Sequence, residues 1–172
     1  MKRIILAIFI LLLPFVCFSQ MSTADKLSMK KLYSITDETQ DDIRGKINIS
    51  RLLIYKDVKI MAAMNELVTI ENLSQGDINY HVIRVYFVGP NWRFLEGIVL
   101  KIDDEIIDLK DENPERFTNR SSNVSVTEIV SIILSQEIKD KLLKCKTLVI
   151  QYYGKPITIP AKGITAIKQF LK

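Results

Sequence analysis

Cysteine is nearly absent from this chain: Cys17 lies in an apolar leader, and beyond it only Cys145 remains. One thiol closes no disulfide, so the fold has to be held by its core. Cys145 ends an amphipathic segment and reads as a small buried apolar residue. Histidine is represented by His81 alone. A lone histidine and a lone mature cysteine leave few routes to hydrolytic or redox chemistry, and no zinc-ligand spacing exists. Phosphate loops, dinucleotide fingerprints and nucleophile elbows are missing too, so no cofactor and no metal is expected. Long apolar runs are scarce as well. The single one, Ile4–Leu13, is broken by Pro14 and falls short of the roughly 20 residues a membrane-spanning helix needs.

What surrounds that run explains it. Lys2 and Arg3 precede it, and Cys17-Phe18-Ser19-Gln20 follow it. A basic head, a short apolar middle and small residues before a polar start describe a secretory signal peptide over residues 1–19, with Gln20 as the mature N-terminus. Cys17 offers a second reading, a lipidated first residue. Pro14-Phe15-Val16 argue against it, because lipoprotein sites place a small residue directly before the cysteine. Removing Lys2 and Arg3 from 24 basic residues leaves 22 against 20 acidic ones. That balance provides no concentrated basic face for nucleic acid. The expected product is secreted or periplasmic and not membrane-spanning.

The 172 residues suit one domain with a self-sufficient core. Residues 20–42 read as a polar lead-in, with a short strand around Leu32–Thr36, and 43–172 as a single β-rich domain. Ile78–Val88 (INYHVIRVYFV) is the central strand. Tyr80, Val82, Tyr86 and Val88 share one face and Ile83, Val85 and Phe87 the other, interrupted only by His81 and Arg84. Lys46–Tyr55 alternates as a strand should. Val58–Ile70 fits both helix and strand; two strands are expected there, with bends near Lys56-Asp57 and Asn65-Glu66. Leu67–Asn72 would pair with Ile78–Val88 through a short loop. Gly97–Leu109 forms a hairpin with Asp103-Asp104 at its tip. Lys110–Asn123 reads as a polar loop and Val124–Leu134 as a strand. Ser135 caps a helix over Gln136–Lys144. Thr147–Tyr153 and Ile157–Ile159 form a last hairpin around Gly154-Lys155-Pro156, and Ala161–Leu171 closes the chain as an amphipathic helix. The fold class is α+β: mainly antiparallel β, a sandwich or strongly curved sheet, with two short helices in the C-terminal part.

Several of these features occur together: a strand ending in Gly89-Pro90, then Trp92 and Phe94, and a hairpin with an acidic tip. A Glu-containing strand at Val126–Leu134, a Ser-capped helix, a Tyr-Gly hairpin and a terminal amphipathic helix follow. This order, together with a leader ending Phe18-Ser19-Gln20, resembles small exported bacterial β-rich domains of the Bacteroidetes type, a group without assigned activity. The resemblance covers about the last 95 residues. It implies the fold and the compartment and brings no catalytic residue with it.

Glu128 is the most informative single residue, a carboxylate in the apolar phase of a strand that also carries Val126, Val130 and Ile132. Buried without a partner it would cost several kcal/mol. Arg84, the charge interrupting the central strand, is its expected partner in a structural ion pair, with His81 or Arg120 next. The functional alternative is a general acid or base with a raised pKa. Asp103, Asp104, Glu105, Asp108, Asp111 and Glu112 lack the punctuated spacing of a calcium loop and read as a solvated tip. Among the aromatics Tyr86, Trp92, Phe94, Tyr152 and Tyr153, Trp92 leads as a candidate contact residue, with Tyr86, Tyr152 and Tyr153 beside it. Trp92 is also suited to capping the core. Asn-x-Ser sequons at Asn48, Asn72, Asn119 and Asn123 are read as chance in a bacterial chain.

Three function classes follow. The first is an exported, non-catalytic domain binding a protein or cell-surface component. The second is a carrier holding an apolar small molecule between sheet and helix. The third is an enzyme relying on Glu128.

Overall fold

The computed structural model describes residues 22–42, 45–59, 64–120 and 124–172. The leader, its cleavage site and the sequon at Asn123 lie outside the described residues. Ten strands among them form two antiparallel sheets. The larger contains β1 (Ile35–Asp42), β2 (Gly45–Lys59), β3 (Met64–Gln75), β4 (Ile78–Gly89), β7 (Glu115–Arg120) and β8 (Val124–Ile133), in the order β1-β2-β3-β4-β8-β7. The smaller contains β5 (Gly97–Ile102), β6 (Glu105–Lys110), β9 (Leu148–Tyr152) and β10 (Lys155–Ile159), in the order β10-β9-β5-β6. Three helices accompany them: α1 (Thr23–Ser28), α2 (Gln136–Lys144) and α3 (Ala161–Phe170).

The inner faces share one core. Leu52, Val68, Ile83, Val85, Phe87 and Val130 of the larger sheet meet Ile98, Leu100, Ile150 and Tyr152 of the smaller one, and Leu142 of α2 and Ile167 of α3 join them. This is the expected mainly antiparallel α+β class, built as a two-sheet sandwich. β4 is interior, between β3 and β8. Its odd residues enter the shared core, while Val82, Tyr86 and Val88 lie on the outer face. Interior position explains why both phases of its sequence are apolar. α2 forms where the sequence indicates: the Ser135 hydroxyl accepts from the Ile138 amide, and Lys141 and Lys144 occupy the last turn. Cys145 follows it, buried.

Three regions differ from the sequence reading. The lead-in is structural: Ser22 caps α1, whose Ala24 and Leu27 pack on Leu53, Leu67 and Tyr86, and β1 pairs with β2 along its whole length. Glu115–Arg120, read as loop, is strand β7 at the sheet edge. An edge strand wet on one side needs few apolar residues, and this one offers only Phe117. Finally, β2 runs past Lys56-Asp57 to Lys59, and Asn65-Glu66 lie inside β3 rather than at a bend. Residues 60–63 lie outside the described residues. Instead, β2 bulges between Leu53 and Tyr55. The extra residue puts Ile54 and Tyr55 both toward the main core, resolving the crowding of Leu52, Leu53 and Ile54.

Candidate functional site

The segment between β4 and β5, residues 90–96, has no strand partner, and a buried carboxylate holds it. Glu128 faces inward from β8, directly opposite Phe87, and is fully buried. Its oxygens accept from the backbone amides of Arg93 and Leu95, the latter at 2.8 Å, with the Arg116 guanidinium at 3.5 Å. Arg116 also donates to the Leu95 carbonyl at 2.7 Å. Glu128 thus fastens residues 93–95, which pair with no strand.

A second inward carboxylate, Glu66 of β3, lies nearby. It pairs with Arg93 at 2.7 Å and Lys155 at 2.8 Å, and accepts from the Tyr152 hydroxyl at 2.9 Å. Burial pushes the Glu66 carboxyl upward, but bonds from Lys155 and Tyr152 and the charge of Arg93 outweigh it, leaving its pKa below the ordinary value. Burial and the Glu66 carboxylate raise Tyr152 well above the usual tyrosine range. Lys155 stays protonated, because its bonds to Glu66, Tyr55 and Asp57 outweigh its own desolvation.

The two arginines carry this order outward. Arg93 lies against the Phe87 ring at 4.2 Å and the Tyr153 ring at 5.3 Å, and Arg116 lies 5.9 Å from the Phe94 ring centre. Phe94 and Tyr153 are 65% and 62% exposed. Both adopt left-handed backbone, with φ of 56° and 48°, which costs a bulky residue about 1–3 kcal/mol. Tyr153 precedes Gly154, at φ 70°, in the β9–β10 turn. Two successive positive φ values define a tight hairpin turn that favours Asn-Gly over an aromatic.

Between these rings opens a cleft of about 250 Å³ on the outer face of the smaller sheet. Val99 forms its floor, with Gln151 on one neighbouring strand and Asp108 on the other at the same level. Lys110 pairs with Gly97 one step along. Gly97 passes so close to the Leu109 carbonyl that a Cβ there would collide with it.

Arg84 and Glu128 do not meet, which corrects the expected ion pair. Register places Glu128 on the inner face and Arg84 on the outer face of the same sheet. Arg84 pairs with Glu71 at 2.9 Å and donates to Ser131 at 2.8 Å. Glu71 also meets Arg51 at 3.3 Å, the Tyr86 hydroxyl at 2.8 Å and Thr69 at 3.0 Å. Burial and the Glu71 charge push the Tyr86 hydroxyl up to about 12.

Of the aromatic candidates, Tyr153 edges the cleft and Tyr152 supports it from beneath, buried against Glu66. Trp92 is half-buried against the core, and Tyr86 lies buried on the far face of the larger sheet. Phe94 proves more prominent than Trp92. Arg93, Arg116 and Glu66 escaped the sequence reading, although Glu66 follows the apolar phase of Val68 and Ile70 as Glu128 follows its own. The acidic tip is engaged locally: Asp103 accepts from the Lys146 and Thr147 amides at 2.8 and 2.7 Å. A second recess, between that tip and α2, is lined by charge, with Lys141 bridging Glu105 and Glu137.

No family model matches this chain, and no curated protein matches it. Among solved structures, the crystal structure of invasion associated protein B from Bartonella henselae is similar over 83% of this chain and 92% of that one, at 13% identity and a TM-score of 0.41. Overlap at that level carries no argument about this chain. No helix among the described residues is long and apolar enough to cross a membrane.

Proposed function

We propose that this protein is an exported, non-catalytic binding domain whose contact surface is the cleft between Phe94 and Tyr153. One observation carries the reading: two aromatic side chains are kept exposed on strained backbone, each backed by an arginine that a buried carboxylate anchors. Strain and exposed rings are both unfavourable for folding alone and recur where a surface is organised for contact. Glu128 supports this reading over an enzymatic one, since its oxygens are engaged by two backbone amides and Arg116. A general acid or base needs an oxygen within reach of a substrate proton. Export rests on the leader, and the partner is a protein or a cell-surface component.

The test compares the mature chain with a Phe94→Ala/Tyr153→Ala variant in a pull-down from the host's envelope fraction. The same component should be retained by the wild type and lost by the variant at equal thermal stability. Equal retention by both would move the contact surface elsewhere.

A further inference from the structure

The polar groups of the cleft differ from the acid–base clusters built on Glu66, Glu71, Glu128 and Asp103. Glu66, Glu71, Glu128 and Asp103 each bond to two or more groups. Among the described residues, the side chains of Glu96, Asp108, Lys110 and Gln151 make no hydrogen bond, yet all four line one cleft with Phe94 and Tyr153. Gln151, Val99 and Asp108 stand abreast on three neighbouring strands. Strand spacing puts the amide and the carboxylate roughly 10 Å apart. An acceptor, an amide and an ammonium are therefore spread across a shallow floor with an aromatic ring at its edges.

We infer that the cleft takes a neutral saccharide, lying on the Val99 floor with its apolar C–H faces against Phe94 and Tyr153 and its hydroxyls on Asp108, Gln151 and Lys110. This rests on the reading of the cleft as the contact surface and adds the class of occupant. A pyranose ring has apolar faces and a rim of hydroxyls that both donate and accept, which is what rings flanking mixed polar groups recognise. Size agrees, because about 250 Å³ falls below the roughly 300–1,000 Å³ of pockets that enclose drug-sized ligands. An extended peptide is less well suited. Adding as a strand, it would lie beside β6 or β10, the outer strands of the smaller sheet, and not across the Val99 floor, since β5 already has β6 and β9 on its two sides. Charge agrees as well, since Glu96 and Asp108 stand beside one lysine and disfavour an acidic ligand.

The experiment is an amide NMR titration of the mature chain, residues 20–172, with maltotriose, cellotriose, mannotriose and chitotriose. Each is taken to about 10 mM, enough to populate a complex of millimolar Kd. At least one should move the amides of Gly97, Val99, Gln151 and Gly154 along a saturating curve. Phe94→Ala, Tyr153→Ala and Asp108→Asn, all at surface positions, should each weaken that binding about tenfold while leaving the rest of the spectrum in place. No saturating shift with any of the four overturns the saccharide assignment. If envelope capture is nevertheless lost in the Phe94→Ala/Tyr153→Ala variant, the contact surface stands and its occupant is a protein. If capture survives as well, both readings fall. Shifts confined to residues outside the cleft, or binding indifferent to all three substitutions, also overturn the assignment.

Discussion

Glu71 and Glu128 are both buried carboxylates of the same sheet, on opposite faces, and they hold different things. Glu71 ties strand to strand: its partners Arg51, Thr69, Arg84 and Tyr86 all lie on β2, β3 and β4. Glu128 ties a strand to the segment that carries Phe94. Glu66 extends the second arrangement, joining β3 through Arg93 to that segment and through Lys155 and Tyr152 to the β9–β10 hairpin. The inner pair therefore reaches the exposed rings, and the outer carboxylate does not. A buried charge beside regular strands reinforces what the ladder already specifies. Beside an irregular segment it supplies an anchor that no strand ladder provides.

The largest effect should come from Glu71. Glu71→Ala leaves Arg84 without its acidic partner, while Arg51 keeps Glu38, and should cost about 3–5 kcal/mol in urea unfolding, the figure for breaking a buried pair. The amides of Gly97 and Gly154 should stay where they are, and their movement would erase the contrast between the two clusters.

Glu128→Gln keeps the shape and removes the charge. Its bonds are charge-assisted, so the loss should be about 2–3 kcal/mol, accompanied by shifts at residues 93–95. A double-mutant cycle sharpens the comparison. Arg84 and Glu128 should be additive within about 0.5 kcal/mol, while Arg84 and Glu71 should couple by more than that. Coupling in the first pair would contradict their placement on opposite faces.

A smaller effect separates Glu66 by pH. Its folded-state pKa lies below the ordinary 4.5. The stabilisation is therefore complete above that ordinary value and is lost as pH falls through the folded value. Urea midpoints should drop more steeply below pH 4.5 in the wild type than in Glu66→Gln, and parallel curves would remove Glu66 from the anchor. The smallest change belongs to Lys141→Ala. That half-buried lysine bridges the exposed Glu105 and Glu137, and the unfolding midpoint should not move measurably.

The sequence revealed the sheets far better than the site. Alternation in Ile78–Val88 and the Ser135 cap are local signals, and the elements they mark are where they were expected, while the last hairpin turns at Tyr153-Gly154 and has Lys155 and Pro156 already in its second strand. Strands β1 and β7 were hidden because edge strands need no second apolar face. The Arg84–Glu71 contact was nearly legible. A tight turn at Gly76-Asp77 sets Arg84 opposite Thr69, which makes Glu71 its diagonal neighbour. Glu128 was recognised as a buried acid, but its face relative to Arg84 depends on the β4–β8 register, and 34 residues separate Gly89 from Val124 with no turn to fix it. Phe94 and Arg93 were least legible, because their roles come from positive φ and from stacking, neither of which leaves a periodic trace.

Buried carboxylates that hold the two rings in place before anything binds should show in the backbone order parameters of the free protein. These should be about 0.85 at Phe94 and Tyr153 in the wild type, as in rigid backbone, and below about 0.6 at Phe94 in Glu128→Gln. Low values at both residues in the wild type, or an unchanged high value at Phe94 once Glu128 has lost its charge, would mean that the carboxylates do not hold the rings.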